Sequence, residues 1–541
     1  MNNRLKYWLP FIGAVLLVGG IWIGYMLAGG SKLTPAVQKL NDVLSIIQDE
    51  YVEEINQDSL IEMSIPEILR NLDPHSVYIP VSELEKANRD LESSFYGIGI
   101  QFQIMDDSIC VVEVISGGPA ERVGLLAGDR IIAVDGKNMT GKEVGNEDVM
   151  KSLRGAKDTE VNVTVKRNNS AKALEFTIIR DEIPTISIDA SYLINDSTGY
   201  IKVNKFAANT YNEFLQSLNS LRVKGAKNYI LDLRGNTGGL LDQAILMANE
   251  FLPAMNTIVD VRGRHPREDA HWLADGTGMI TNGQLVVLID EFSASSSEIV
   301  AGAIQDNDRG LIVGRRSFGK GLVQRAITLP DSSQMRLTVQ RYYTPSGRCI
   351  QKVYTPGHND DYQSEILDRY SNGEVFSADS IKVDESQVFR TLGGRTVYGG
   401  GGIIPDVFVP SDTSHVTSYY LSVANAGLLN KFAYEYADMN REELSKAKTV
   451  DELRNLLPPS NLLLLDFTRY AAANGVAPRW YYINISTPLI VNQLKGLIAR
   501  DILGTSAYYR IVNESDPTVK EALERLSKGV DNALSESPGK K

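Results

Sequence analysis

Cysteine is nearly missing from these 541 residues: Cys110 and Cys349 lie far apart and outside any Cys-x-x-Cys pair. That excludes a disulfide framework and a zinc cage and leaves two small hydrophobes for the core. Histidine is almost as scarce, at His75, His265, His271, His358 and His415. None forms His-Glu-x-x-His, and "HPREDAH" has the wrong spacing for two ligands on one helical face, so neither metal nor cofactor is expected. Positive charge is short as well. A formal net charge of −12 argues against nucleic acid as the main partner. No internal repeat of convincing period is present. Apolar residues are plentiful, at 43%, and at about 150 residues per domain the chain should hold three or four domains.

One long hydrophobic run stands at the N-terminus. Arg4 and Lys6 precede "WLPFIGAVLLVGGIWIGYMLA", an uncharged stretch of 21 residues from Trp8 to Ala28. At ~1.5 Å per residue it can cross a hydrocarbon core of ~30 Å. It is long for a signal-peptide core and ends "YMLAGG", which favours an uncleaved signal anchor. Lys32 and Lys39 beyond the span leave its orientation weakly specified. A large domain after a single anchor most simply lies outside the cytoplasm.

The pattern then changes along the chain. "VQKLNDVLSIIQDEYV" places Val37, Leu40, Leu44, Ile47 and Tyr51 at spacings of three and four, a helix with one apolar face, and "LDPHSVYIP" breaks it with Pro74 and Pro80. Between Phe95 and Arg180, "ICVVEVI", "DRIIAVDG" and "TEVNVTVKR" are short strands bounded by Gly, Pro and Asp, a compact β-domain. After Ile183 come strand-then-helix units, "NYILDL" into "GLLDQAILMANEFL" and "QLVVLID" into "SSSEIVAGAIQD", which predict an α/β layered domain. Its sites should lie where strands end and helices begin. A polar, mostly acidic stretch from Tyr354 to Gly402 reads as an excursion with a Gly-rich return, "YGGGGIIPD". Helical patterns resume from about Ser411. In "DPTVKEALERLSKGV", Asp516 can cap a helix carrying Val519, Leu523 and Leu526.

Three segments carry candidate chemistry. "LIDEFSASSSEIVAGAIQD" packs four serines into five positions at a strand-to-helix turn. Ser295, three residues before Glu298, can be a capping-box residue. The same place exposes a hydroxyl near a positive helix end, with the Ser296 N–H available to an oxyanion. In "LDLRGNTGGL", Gly238 and Gly239 can bring bare N–H groups to a developing negative charge, or merely turn the chain. No Gly-Lys-Ser/Thr follows, which excludes a phosphate loop. In "SFGKGLVQ", Lys320 is either a solvated surface charge or a base whose ammonium is disfavoured by burial. Gln324, four positions on, shares its face, although about 13 Å separates the two Cα atoms at ~3.3 Å per residue. The side chains meet if Lys320 lies back or Gly321 bends the chain. A Ser–His–Asp triad stays open at this point, though no histidine sits in a suggestive turn.

Taken together, "SASSSEIVAGAIQDNDRGLIVGRRSFGKGLVQ", "LDPHSVYI" and "YYTPSGRCIQ" resemble, in order, the signatures of the carboxy-terminal processing proteases, serine peptidases of the Ser–Lys type. The resemblance covers roughly residues 35–410. It implies Ser295 as nucleophile, Lys320 as base and Gln324 as its support; Gly238, Gly239 and Ser296, read above as possible N–H donors, are the oxyanion candidates. Ser293 and Ser297 would shape the turn. Ser296 stands where the family commonly has alanine, which touches local hydrogen bonding. By the same resemblance "YGIGIQFQI" followed by "GGPAERVGLLAGDRIIAVDG" looks like a bacterial PDZ domain, whose loop Tyr96, Gly97, Ile98, Gly99 and Ile100 would receive a peptide's C-terminal carboxylate.

The expected architecture is a multidomain α/β chain. It comprises a membrane anchor (1–30), a helical module (31–91), a PDZ β-domain (92–182), an α/β layered protease core with an inserted polar excursion (183–410) and a C-terminal helical region (411–541). The expected function is a cell-envelope endopeptidase, anchored in the inner membrane and facing the periplasm or exterior, that reads protein C-termini and cuts with a Ser–Lys dyad. A catalytically silent PDZ adaptor is the rival, and a hydrolase of nonpeptide esters is disfavoured by the peptide-reading domain. Expected partners are substrates with accessible C-termini and the membrane. Self-association through the helical ends is compatible with the pattern, as is an activating partner.

Overall fold

The computed structural model describes Trp8, residues 13–20, and residues 34–534 except 90, 106, 116, 168, 169, 171, 531 and 533. Most of the expected anchor, Trp8–Ala28, lies outside the described residues. Among the described residues no helix is long and apolar enough to cross a membrane.

The chain divides into two units, residues 1–71 and 72–541. In the first, Thr34 caps the helix Pro35–Glu50, whose Pro35 needs no N–H partner at that position. A second helix, Gln57–Arg70, follows, capped by Asn56.

In the second unit, the period-2 segments form a six-stranded β-domain. Its strands run in the order Ile100–Met105, Ser108–Val114, Arg130–Val134, Glu160–Lys166 and Leu174–Ile179, with Lys137–Asn138 beside the third. Ile109, Val111, Ile131, Val161, Val163 and Val165 point inward onto Val149 and Leu153 of the helix Asn146–Leu153. The strand Ser94–Gly97 leaves this sheet and pairs antiparallel with Asp181–Pro184, so entry and exit of the β-domain form one ribbon.

The larger core is a six-stranded sheet ordered Ile188–Asn195, Thr198–Val203, Asn228–Asp232, Leu285–Ile289, Leu311–Gly314 and Val407–Phe408. Its first pair is antiparallel and the rest parallel. Uninterrupted apolar runs such as "LVVLI" follow from burial on both faces. Leu231, Val287 and Ile289 face the helices Thr210–Val223, Leu241–Asn249 and Ser296–Asp306. Ile230, Val286 and Leu288 face the helix Pro517–Lys528 through Val519, Ala522 and Leu526. The last helix, expected in the C-terminal helical region, therefore covers one face of this sheet. Asp516 caps it, accepting from Thr518 and Val519 N–H, and also pairs with Arg234 in the glycine loop at 2.8 Å.

A second sheet carries the lysine segment. Gln334–Tyr343 lies between Val77–Ile79 and Thr257–Gly263 and also pairs with Leu322–Thr328. The remaining helices, from Ser418–Asn425 to Thr505–Val512, bury their own core around Phe432, Phe467, Ile490 and Leu494.

Candidate active site

Ser295 ends the turn after the buried strand Leu285–Ile289 and begins the helix Ser296–Asp306. Its φ of 55° and ψ of −115° are unusual for a residue with a Cβ, and strain of this kind persists where surrounding contacts enforce it. The contacts are visible. Ser293 Oγ donates to Leu233 O at 2.9 Å, Ser297 Oγ to Asn236 O at 2.9 Å and Ser296 Oγ to Gly239 O at 3.0 Å. Three serine hydroxyls thus stitch this turn to the glycine loop. Ser295 Oγ, of the four, is donated to no partner among the described residues, and its side chain is half-buried. The Ser296 hydroxyl, at the position where the resembling family commonly has alanine, is part of the stitching.

The glycine loop lies directly against the nucleophile candidate. A Cβ on Gly238, φ 101°, would stand 2.7 Å from Ser295 Cβ and 3.0 Å from Ser296 N. Gly238 N–H, expected as an oxyanion donor, is instead given to Asn236 Oδ1 at 2.8 Å. Asn236 is fully buried and can turn its oxygen nowhere else, because its amide nitrogen is held by Val203 O. The N–H groups of Gly239 and Ser296 donate to nothing among the described residues.

Glu298 joins the serine turn to the lysine loop, a role the capping-box spacing hinted at without revealing its reach. Its carboxylate, 0% exposed, accepts Ser295 N–H at 2.8 Å and Lys320 N–H at 2.9 Å on one oxygen. Its other oxygen accepts Ser317 Oγ at 2.5 Å and Gly319 N–H at 2.7 Å. Burial pushes this carboxyl up, opposed by those four donors. Tyr342 makes a second bridge, its OH donating to Ser295 O at 3.2 Å and to Lys320 O. Serine and lysine segments are therefore held together by shared partners. No hydrogen bond joins Lys320 Nζ to Ser295 Oγ among the described residues, and catalytic contacts are often long before substrate binds.

Burial holds the Lys320 ammonium below the ordinary lysine range, Arg336 adds to this, and Glu298 and Asp73 oppose it. Gln324 does not reach back to the lysine; its Nε2 donates to Thr338 Oγ1 at 3.2 Å. His75 lies beside this group, but its Nε2 is engaged with Tyr362 OH at 2.9 Å, and burial and Lys320 push it down to about 4. Neither it nor another histidine is hydrogen-bonded to Ser295 among the described residues, so the Ser–His–Asp alternative has no geometry behind it.

The polar excursion is a clamp on the lysine loop. Its helix Asn359–Ser371 buries Arg369, which donates to Ser317 O at 2.8 Å and Phe318 O at 3.0 Å. Arg316 pairs with Glu374 at 2.5 Å. The Gly-rich return passes so close that a Cβ on Gly402, φ 88°, would meet Ser317 O at 2.6 Å.

In the β-domain, Tyr96 and Gly97 sit in the ribbon opposite Glu182 and Asp181. The carbonyls of Ile98 and Gly99 accept from Ala120 and Ile115 N–H at 2.8 and 3.0 Å. With the carbonyls turned inward, the N–H groups of Ile98 and Gly99 donate to nothing among the described residues. Gly99 has φ 79°. Ile100 begins the strand Ile100–Met105, which is the outer strand of its sheet.

Three stretches of the chain match known families. Residues 197–363 match Peptidase family S41, residues 97–178 match the PDZ domain, and residues 419–504 match a family of unknown function, DUF8443. The chain is 35% identical over 381 residues to a carboxy-terminal-processing protease of Bartonella bacilliformis, covering 69% of this chain and 84% of that one. It is 32% identical over 359 residues to the carboxy-terminal processing protease CtpB of Bacillus subtilis, covering 65% and 73%. A solved photosystem II D1 C-terminal processing protease is similar at 27% identity, with a TM-score of 0.32, over 58% of this chain and 90% of that one. The chain belongs to peptidase family S41, and is a carboxy-terminal processing serine peptidase with a PDZ domain.

Proposed function

We propose that Ser295 is the nucleophile of this peptidase and Lys320 its general base. The observation that carries the assignment is the strained Ser295 turn, in which neighbouring serine hydroxyls are donated to the glycine loop and that of Ser295 is not. Lys320, as the neutral amine, takes the Oγ proton while Oγ bonds to the scissile carbonyl carbon. The oxyanion is met by the N–H groups of Gly239 and Ser296, and Gly238 leaves room for it. Collapse breaks the C–N bond, and Lys320 returns the proton to the departing amine. Water, deprotonated by Lys320, then attacks the acyl-enzyme, releasing the new C-terminus and restoring Ser295. Gln324, bonded to Thr338 in this structure, orients the lysine once substrate brings the two together.

Recognition precedes cutting in this reading. The N–H groups of Ile98 and Gly99 take the substrate's C-terminal carboxylate, and its backbone adds to the edge strand Ile100–Met105. The run Trp8–Ala28 anchors the protein in the inner membrane with the protease on the periplasmic or exterior side. Self-association rests on the helix Pro35–Glu50, where Val37, Leu40, Val43 and Ile46 are exposed; an activating partner would act through the PDZ domain.

Ser295→Ala and Lys320→Ala should each abolish proteolysis with the fold intact, the double variant being little worse than either. Ser293→Ala and Ser297→Ala should keep substantial activity. Cleavage at the parent rate by Ser295→Ala removes the assignment. For the PDZ role, two substrates identical except for a terminal carboxylate or amide should differ in binding to Ser295→Ala by about ten- to a hundredfold. Equal binding and equal cleavage reduce the domain to a structural one. Membrane flotation and sedimentation velocity of the full chain test anchoring and self-association.

A further inference from the structure

We propose that Asp73, in the "LDPHS" segment, is a positioning residue of the catalytic site that fixes the Gln324 amide through Thr338 and presents a negative charge to Lys320. The inference rests on the assignment of Lys320 as base and Gln324 as its support.

Asp73 is buried, 4% exposed, at the foot of the strand Val77–Ile79, which pairs Val77 with Arg336 on Gln334–Tyr343. Its carboxylate accepts His75 N–H at 2.8 Å, Ser76 N–H at 2.9 Å and Ser76 Oγ at 2.6 Å. Those bonds make a turn and need no catalytic explanation. The further bond does: Thr338 Oγ1 donates to Asp73 Oδ1 at 2.9 Å, across 265 positions of sequence. Thr338 faces Gln324 in the ladder between the two strands.

The chain of donors has one consistent direction. An ionised carboxylate only accepts, so the single hydroxyl proton of Thr338 goes to Asp73. Thr338 Oγ1 can then offer Gln324 only lone pairs, and Gln324 must turn its NH2 toward it, as the 3.2 Å contact from Nε2 has it. The Oε1 end is left over and accepts from nothing among the described residues. That polarity is what a lysine base requires. A neutral amine that donates one N–H to Gln324 Oε1 keeps its lone pair for the serine proton. The reversed amide would donate to that lone pair and occupy it.

The charges facing Lys320 are Glu298 from the serine helix, Arg336 from the neighbouring strand and Asp73, with His75 beside them and Lys352 facing His75. Removing the Asp73 charge takes away stabilisation of the ammonium, so the free amine forms at lower pH.

The experiment compares pH–rate profiles of Asp73→Asn, Thr338→Val and Thr338→Ser in the full chain, with Lys320→Ala as reference and melting curves for each. Asp73→Asn should lower kcat by about ten- to a hundredfold, the size of one hydrogen bond to a charged acceptor, with little change in KM. It should also move the acid limb to lower pH. Thr338→Val should lower kcat without moving the limb, and Thr338→Ser should restore it. If Asp73→Asn does not fold, the threonine pair decides: a slow valine variant rescued by serine upholds the relay, and a valine variant as fast as the parent overturns it. Parent-like kcat and limb in both Asp73→Asn and Thr338→Val, with Lys320→Ala inactive, refute the relay and spare the dyad. Cleavage by Lys320→Ala would instead remove the assignment beneath it.

Discussion

Replacing Glu298 by glutamine tests whether one buried carboxylate holds the serine turn and the lysine loop in a common frame. Each of its oxygens now accepts two donors: Ser295 and Lys320 N–H on one, Ser317 Oγ and Gly319 N–H on the other. An amide has one accepting oxygen, so whichever way it is turned its NH2 confronts two donors. Hydrogen bonds to charged groups contribute roughly 1.5–3 kcal/mol each, so losing two puts about 3–6 kcal/mol at stake locally. A neutral amide loses less on leaving water than a carboxylate, which returns part of that. At tenfold per ~1.4 kcal/mol, opening of the loop should become about a hundred- to ten-thousandfold easier. Hydrogen exchange read by mass spectrometry, in a Ser295→Ala background that prevents self-cleavage, should show this at Gly319 and Lys320, with the PDZ strand Ser108–Val114 unchanged. In the otherwise intact enzyme, kcat should fall far more than KM changes. Parent-like exchange at Gly319 and Lys320 together with parent-like kcat would refute the idea that Glu298 sets this geometry.

On the proposal that Lys320 acts as free amine, with burial holding its ammonium below the ordinary range, kcat/KM should rise with pH through a value below the free-lysine ~10.4; a profile flat from acid to alkaline conditions, with chemistry rate-limiting, contradicts the base assignment. Gly238→Ala should abolish turnover while leaving peptide binding to the PDZ domain intact, since the added Cβ would crowd both Ser295 Cβ and Ser296 N; an active variant would show that the loop does not define the oxyanion space. Leu526→Ala should lower stability by about 2–5 kcal/mol in chemical denaturation, because the last helix covers one face of the protease sheet; an unchanged midpoint would make that helix an appendage.

Periodicity determined much of this protein. Apolar spacing in "VQKLNDVLSIIQDEYV" specifies a helix, although none of its residues is buried, and the unbroken run "LVVLI" specifies a strand buried on both faces. The succession of separated motifs was equally legible, and with it the serine turn, the glycine pair and the lysine segment. Partnership was not, because a hydrogen bond between distant residues leaves no period. That Asn236 takes Gly238 N–H is a local Asx contact, but nothing local says that Val203 O fixes the Asn236 amide in that orientation, leaving Gly239 and Ser296 as the open donors. The acidic excursion gave no sign that Arg369 would close on the carbonyls of the lysine loop. Glu298 read as a helix cap, and only the folded chain brings Ser317, Gly319 and Lys320 to the same carboxylate. Asp73 reaches Thr338 across 265 positions, a contact set by how one strand lies on another, which tertiary packing alone decides.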